Sequence, residues 1–110
     1  MSDAIVHIDI SGPDPAAQHR FYGELFDWKV DEKGPGYALV RTPDGSPDGA
    51  LIESDAGSVV FGVAVADLAA TVERAVSLGG AVVMPPTDNG WVVKAQVSDP
   101  AGNLVTLIQA

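Results

Sequence analysis

From Ile5 to Ile10 the side chains alternate, Val6, Ile8 and Ile10 on one side and Ile5, His7 and Asp9 on the other, the period-two pattern of a strand with one buried face. Ser11-Gly-Pro-Asp-Pro ends that strand. Asp14 as N-cap with Pro15 at the first helical position predicts a helix through about Phe26, with Ala17, Phe21 and Leu25 on its apolar face. Trp28 to Asp31, Tyr37 to Arg41 and Ala50 to Ser54 read as three short strands, separated by Lys33-Gly-Pro-Gly and Pro43-Asp-Gly-Ser-Pro-Asp-Gly.

The second half repeats this order. Val59 to Val65 reads as a strand, and Asp67 opens a helix carrying Leu68, Val72, Ala75, Val76 and Leu78 that stops at Gly79-Gly80. Ala81 to Met84, Trp91 to Val97 and Leu104 to Gln109 supply three more strands. Asp14 and Asp67 are separated by 53 positions, and the same offset carries Leu25 to Leu78 and Val30 to Val83. It also lays Pro47-Asp-Gly-Ala-Leu-Ile-Glu53 on Pro100-Ala-Gly-Asn-Leu-Val-Thr106. The expected fold is α+β, one domain over 1–110 built from two βαβββ modules, about 3–55 and about 58–110. A ferredoxin-like sandwich, which also alternates helices and strands, has fewer strands after each helix.

Composition narrows the function classes. With 46% hydrophobic residues the chain can bury a core, which disfavours disorder. Six basic against fifteen acidic side chains give a net charge of -9, which would repel a polyanion, so nucleic acid is not an expected partner. Without cysteine there are no disulfides, zinc ribbons or thiol nucleophiles. No window approaches the roughly 20 apolar residues of a membrane span, so no membrane association is expected and the cytoplasm is the expected location.

Phe21-Tyr-Gly-Glu-Leu-Phe-Asp-Trp28 closes the first helix and Asp99-Pro-Ala-Gly-Asn103 turns into the last strand. On paired βαβββ modules, these motifs resemble the vicinal oxygen chelate superfamily, which includes glyoxalase I, bleomycin-resistance proteins, epimerases and extradiol dioxygenases. By their own chemistry the first motif is core packing and a helix-to-strand bend, and the second is a turn. The resemblance implies a curved, mostly antiparallel mixed sheet around a concave cavity. It also implies metal ligands from the first and last strands of each module, which at the offset of 53 fall on His7, Glu53, Val60 and Thr106.

Only His7 and Glu53 of these four can hold a metal well, whereas a catalytic divalent ion usually takes three protein ligands. Thr106 cannot replace a glutamate base near neutral pH, so glyoxalase I turnover is not expected. No catalytic residue can be named. Asp9 lies on the strand face of His7 and could substitute as a ligand or orient the imidazole. His19, among polar residues of the first helix, reads as surface.

Strand parity lines the expected cavity with Ile5, His7, Asp9, Leu51 and Glu53, and with Val60, Gly62, Ala64, Leu104, Thr106 and Ile108. Tyr37, Leu39, Arg41, Lys94 and Gln96 reach the same side. The leading expectation is a metal-free, bleomycin-resistance-like protein that binds a small molecule. It is expected to be a homodimer, because Leu51, Leu104 and Ile108 would otherwise face water. The alternatives are a lyase, isomerase or dioxygenase in which His7 and Glu53 hold Zn, Ni, Mn or Fe, and a non-catalytic interaction module.

Overall fold

Both helices start at the aspartates that the sequence offers as caps. Asp14 accepts from the backbone N–H of Ala17 at 3.2 Å and Asp67 from that of Ala70 at 3.0 Å, each satisfying a donor that the first helical turn leaves unpaired. In the computed structural model, which describes residues 2–110, the helices are α1 (Pro15–Phe26) and α2 (Leu68–Ser77). Around them run β1 (Ile5–Gly12), β2 (Lys29–Gly34), β3 (Tyr37–Arg41) and β4 (Asp48–Glu53), then β5 (Ser58–Val65), β6 (Ala81–Asp88), β7 (Val93–Ser98) and β8 (Leu104–Gln109). The chain is α+β, with βαβββ order twice. Residues 7–60 form one compact unit, and residues 2–6 with 61–110 the other.

In the first unit the strands lie in the order β2-β3-β4-β1. Tight connections make β2, β3 and β4 antiparallel, whereas the passage through α1 leaves β1 and β4 parallel. Leu51, Ala38 and Val40 are buried, with Ile10, Tyr22, Trp28 and Val30 packed against them. Tyr22 stacks on Trp28 at 5.8 Å between ring centroids, and Phe21 meets Tyr22 edge-on at 5.1 Å. The packed side of α1 is therefore that of Tyr22. Phe21 and Leu25, expected on the apolar face, are more than half exposed.

The second unit has the strand order β5-β8-β7-β6, with β5 and β8 parallel and the other pairs antiparallel. Its core joins Leu68 and Val72 of α2 to Val65, Ala95, Val97 and Leu107 of the sheet. Gln109 ties the start of α2 to β8, its Oε1 accepting from Leu68 N–H at 2.9 Å and its Nε2 donating to Ala66 O at 2.7 Å. Gly79, at φ +101, ends α2 in a conformation that favours glycine, and a Cβ on Gly80 would stand 2.5 Å from the Ser98 carbonyl oxygen.

Tyr37–Arg41 and Leu104–Gln109 form where the sequence predicts them. The expected Ala50–Ser54 strand instead begins at Asp48, because the Asp48 carboxylate takes the Thr42 N–H at 3.0 Å and closes the preceding loop before Gly49. Strand β6 runs on to Asp88, past Pro85 and Pro86, and its pairing with β7 shifts register around those residues.

Candidate functional site

Cross-strand register decides which side chains share a face. In the first unit His7 pairs with Asp48, Asp9 with Ala50 and Gly12 with Glu53. Leu39 pairs with Ala50 and Val40 with Gly49, while Lys29 pairs with Arg41 and Asp31 with Leu39. Paired residues lie on one side of a sheet and neighbours along a strand on opposite sides. The face away from the packed core therefore carries His7, Asp9, Lys29, Asp31, Tyr37, Leu39, Arg41, Asp48 and Ala50.

This corrects the sequence reading of β4. Leu51 and Glu53 were expected beside His7, but Leu51 is in the core at 2% exposure and Glu53 shares its side of the strand. The expected ligand pair is also separated along the strands. His7 and Glu53 stand five register positions apart, roughly 16 Å at about 3.3 Å per residue. Glu53 lies instead against Gly36, where an added Cβ would come within 2.8 Å of its Oε1, and the Glu53 N–H donates to Gly36 O at 2.8 Å. The donors do not fit a shared divalent ion. No group of three or more His, Cys, Asp or Glu among the described residues is arranged to hold one.

The same face brings together a pair that the sequence suggested and a set that it did not. His7 Nε2 is 2.7 Å from Asp9 Oδ1, with the two side chains about one-third and one-quarter exposed. That contact orients the imidazole. Beside it lies a cleft of about 210 Å³ bordered by His7, Lys29, Asp31, Leu39, Arg41 and Asp48. Lys33 Nζ sits 2.8 Å from Asp31 Oδ2, and this hydrogen bond, followed by the Lys33 charge, holds the Asp31 carboxyl below its ordinary value. Lys29, Asp31 and Asp48 were missed. The pattern of β2 could have indicated the first two, because Lys29 and Asp31 flank the core residue Val30.

In the second unit the register sets which side chains share a face. Gly62 pairs with Thr106 and Ala64 with Ile108, while Lys94 pairs with Ile108 and Gln96 with Thr106. These side chains share the face opposite Val65, Val97 and Leu107. Val60, partly buried in β5, is the last residue of the first unit. Thr106 is buried at 5% exposure, and its hydroxyl accepts from Gln96 Nε2 at 3.3 Å. A threonine so held is a structural polar group with no basic lone pair to offer.

His19, read as surface, is tucked in. Its ring is 14% exposed, Nδ1 lies 3.0 Å from Glu32 Oε1, and Nε2 is buried without a hydrogen-bond partner. Asp99 holds the last turn together, accepting from the N–H groups of Ala101 and Asn103 and from Asn103 Nδ2 at 2.8 to 2.9 Å. Those bonds, Asn103 foremost, lower its pKa.

Known proteins share this architecture. The crystal structure of a glyoxalase/bleomycin resistance protein/dioxygenase superfamily member from Vibrio splendidus superposes with a TM-score of 0.75 at 18% identity, covering 99% of this chain and all of that one. A methylmalonyl-CoA epimerase from Mycobacterium tuberculosis does so with 0.72 at 18%, over 96% and 86% of the two chains. The Mn(II)-bound glyoxalase from Novosphingobium aromaticivorans gives 0.73 at 15%, over 98% of this chain and 40% of its own. In sequence, "Putative glyoxylase CFP32" of Mycobacterium bovis and of Mycobacterium tuberculosis are 30% identical over 115 aligned residues. The match takes in 94% of this chain, which spans 44% of the length of those relatives. The sequence model of the Glyoxalase/Bleomycin resistance protein/Dioxygenase superfamily matches residues 4–107, and the chain belongs to that superfamily.

Proposed function

We propose that this chain binds a small organic ligand in the cleft of its first unit, with His7 and Arg41 as the polar contacts and no resident metal between them. The observation that carries the reading is the His7–Asp9 pair, 2.7 Å apart, at the edge of a cleft bordered by Lys29, Leu39 and Arg41. A few converging polar groups beside apolar wall are the usual character of a small-molecule site. At about 210 Å³ the cleft falls below the roughly 300–1,000 Å³ of drug-sized sites, which favours a compact metabolite over a large drug.

Thermal-shift screening of small acids, amides and sugars tests this. Occupancy at a hundredfold excess over Kd stabilises the native state by about 2.7 kcal/mol. A ligand that raises the melting temperature of wild type and not of Arg41→Gln or His7→Gln supports the cleft. A ligand equally effective on all three variants removes it. Zinc, nickel and manganese should leave the melting temperature unchanged, and a micromolar metal affinity would overturn the metal-free reading.

One observation favours a second reading. An imidazole held by a carboxylate is the arrangement of an oriented general base, so proton abstraction from an acidic C–H is the reaction to test. Exchange of a bound acid's α-hydrogen in heavy water, lost in His7→Gln and reduced in Asp9→Asn, would make the protein an enzyme. We also propose a homodimer, because Tyr37 and Leu39 leave apolar surface on this face at 38 to 41% exposure. Sedimentation showing only monomer at micromolar concentration removes that proposal.

A further inference from the structure

The connection between β6 and β7 carries Asp88-Asn89-Gly90-Trp91, and three hydrogen bonds there converge on one carboxamide and its neighbouring amide. The Asn89 Oδ1 accepts from Trp91 N–H at 2.9 Å and from Val92 N–H at 3.0 Å. Gly90 N–H donates to Asp88 Oδ1 at 2.8 Å. Gly90 sits at φ +89, and nothing lies within 4 Å of where its Cβ would stand. Trp91, next along the chain, is 91% exposed.

From this arrangement we infer that Asn89 is a self-modification site, at which the fold promotes loss of the side-chain amide. The Gly90 nitrogen attacks Cγ of Asn89 and gives up its proton. The new N–Cγ bond closes a five-membered imide, and the Cγ–NH2 bond breaks to release ammonia. Water then opens either imide carbonyl, leaving aspartate or isoaspartate at position 89. No oxidant or cofactor is needed.

Each hydrogen bond has a part in that step. The carboxylate of Asp88 is placed to take the proton from the attacking nitrogen, as a general base does. The N–H groups of Trp91 and Val92 point at the oxygen on which negative charge develops, which is how oxyanion sites lower a barrier. Gly90 removes the side chain that would crowd the attack, and its positive φ costs nothing in glycine. The other asparagine, Asn103, is followed by Leu104 and donates its Nδ2 to Asp99 Oδ2, so it serves as an internal control. Conversion adds one negative charge to a chain already at -9. The isoaspartyl product also lengthens the backbone by one carbon immediately before Gly90 and Trp91.

The test ages the purified chain in mildly alkaline buffer, folded and in urea, and follows both asparagines by peptide mapping for replacement of NH2 by OH. In the folded chain Asn89 should react about tenfold faster than in urea, the factor that about 1.4 kcal/mol of barrier lowering supplies, while Asn103 stays intact. Asp88→Asn keeps an acceptor for the Gly90 N–H and removes the base, so it should slow the folded chain and leave the rate in urea unchanged. A rate in the folded chain equal to or below that in urea would mean that the turn protects Asn89, and it overturns the inference. An unchanged folded rate in Asp88→Asn removes the part given to Asp88 and overturns it equally.

Discussion

The two units share an element order and differ in register. Strand β1 runs from Ile5 to Gly12 and β5 from Ser58 to Val65, so their ends are 53 apart, as are the N-caps Asp14 and Asp67. By the last strands the offset has grown. Asp9 pairs with Ala50 and its counterpart Gly62 pairs with Thr106, which puts Ala50 and Thr106 56 apart. The same three-residue drift makes Glu53, opposite Gly12, the counterpart of Gln109, opposite Val65. The extra length lies between the second and third strands of each unit. Gly34 to Tyr37 is a tight turn with Gly36 at φ +71, whereas Asp88 to Val93 is a longer one following the Pro85-Pro86 irregularity. A sequence repeat thus transfers a position only as far as the connections between have equal length.

The largest effect that could break this comparison is at Leu51. If β4 is registered as described, Leu51 is core and Leu39 is on the opposite face. Leu51→Ala should cost about 2–5 kcal/mol, the usual range for a buried leucine, read as a fall in the urea midpoint at constant slope. Leu39→Ala should cost far less, and it belongs to the cleft wall rather than the core. Equal costs at the two positions would return Leu51 and Glu53 to the face of His7.

The elements were legible because their signals are local. Asp14-Pro15, Asp67 and Gly79-Gly80 set helix ends through one or two backbone hydrogen bonds each, and the alternation in β3 fixes its faces. The placement of His7, Asp9, Tyr37 and Arg41 on one side of the sheet followed from the same parity. Glu53 did not, because β4 is almost wholly apolar from Ala50 to Ile52 and its alternation is silent. There the face is set by pairing with β1 and β3, which is a tertiary fact. The similarity of Pro47-Asp-Gly to Pro100-Ala-Gly then pointed to the wrong register. Tyr22 was legible only as part of an aromatic group, since Phe21 and Leu25 fit the helical period equally well.

A smaller effect sharpens the comparison at the corrected counterparts. Gln109 joins Leu68 N–H and Ala66 O, holding the first turn of α2 to β8. Gln109→Ala should destabilise by about 1 kcal/mol or somewhat more, as for one or two ordinary hydrogen bonds with a donor left unpaired. Glu53→Ala, at the equivalent place in the first unit, should change stability by less than about 0.5 kcal/mol, since its carboxylate is exposed and surface changes of this kind stay within that range. A cost at Glu53 as large as at Gln109 would mean that both units clamp their helices in the same way.

The smallest effect concerns the turns that precede the last strands, where Asp48 in one unit and Asp99 in the other each accept backbone N–H bonds. At Asp99 those bonds lower the pKa, led by the Asn103 amide and backbone N–H. A carboxyl with a folded pKa below its ordinary 3.8 contributes stability that is fully present above 3.8 and is lost as pH falls through the lower, folded value. Asp99→Asn can still accept from Ala101 and Asn103 but has no charge to titrate. Urea midpoints measured from neutral pH down through that acidic window should therefore fall more steeply for wild type than for Asp99→Asn, with the two curves converging at the acid end. The remaining carboxylates titrate in both proteins, so the difference between the curves is the reading. Because the carboxyl is bonded within a surface turn, that difference should be the smallest of these effects. Curves that stay parallel throughout would show that the Asp99 bonds favour the neutral and charged carboxyl alike, and the turn would then owe its shape to Pro100 and Gly102 alone.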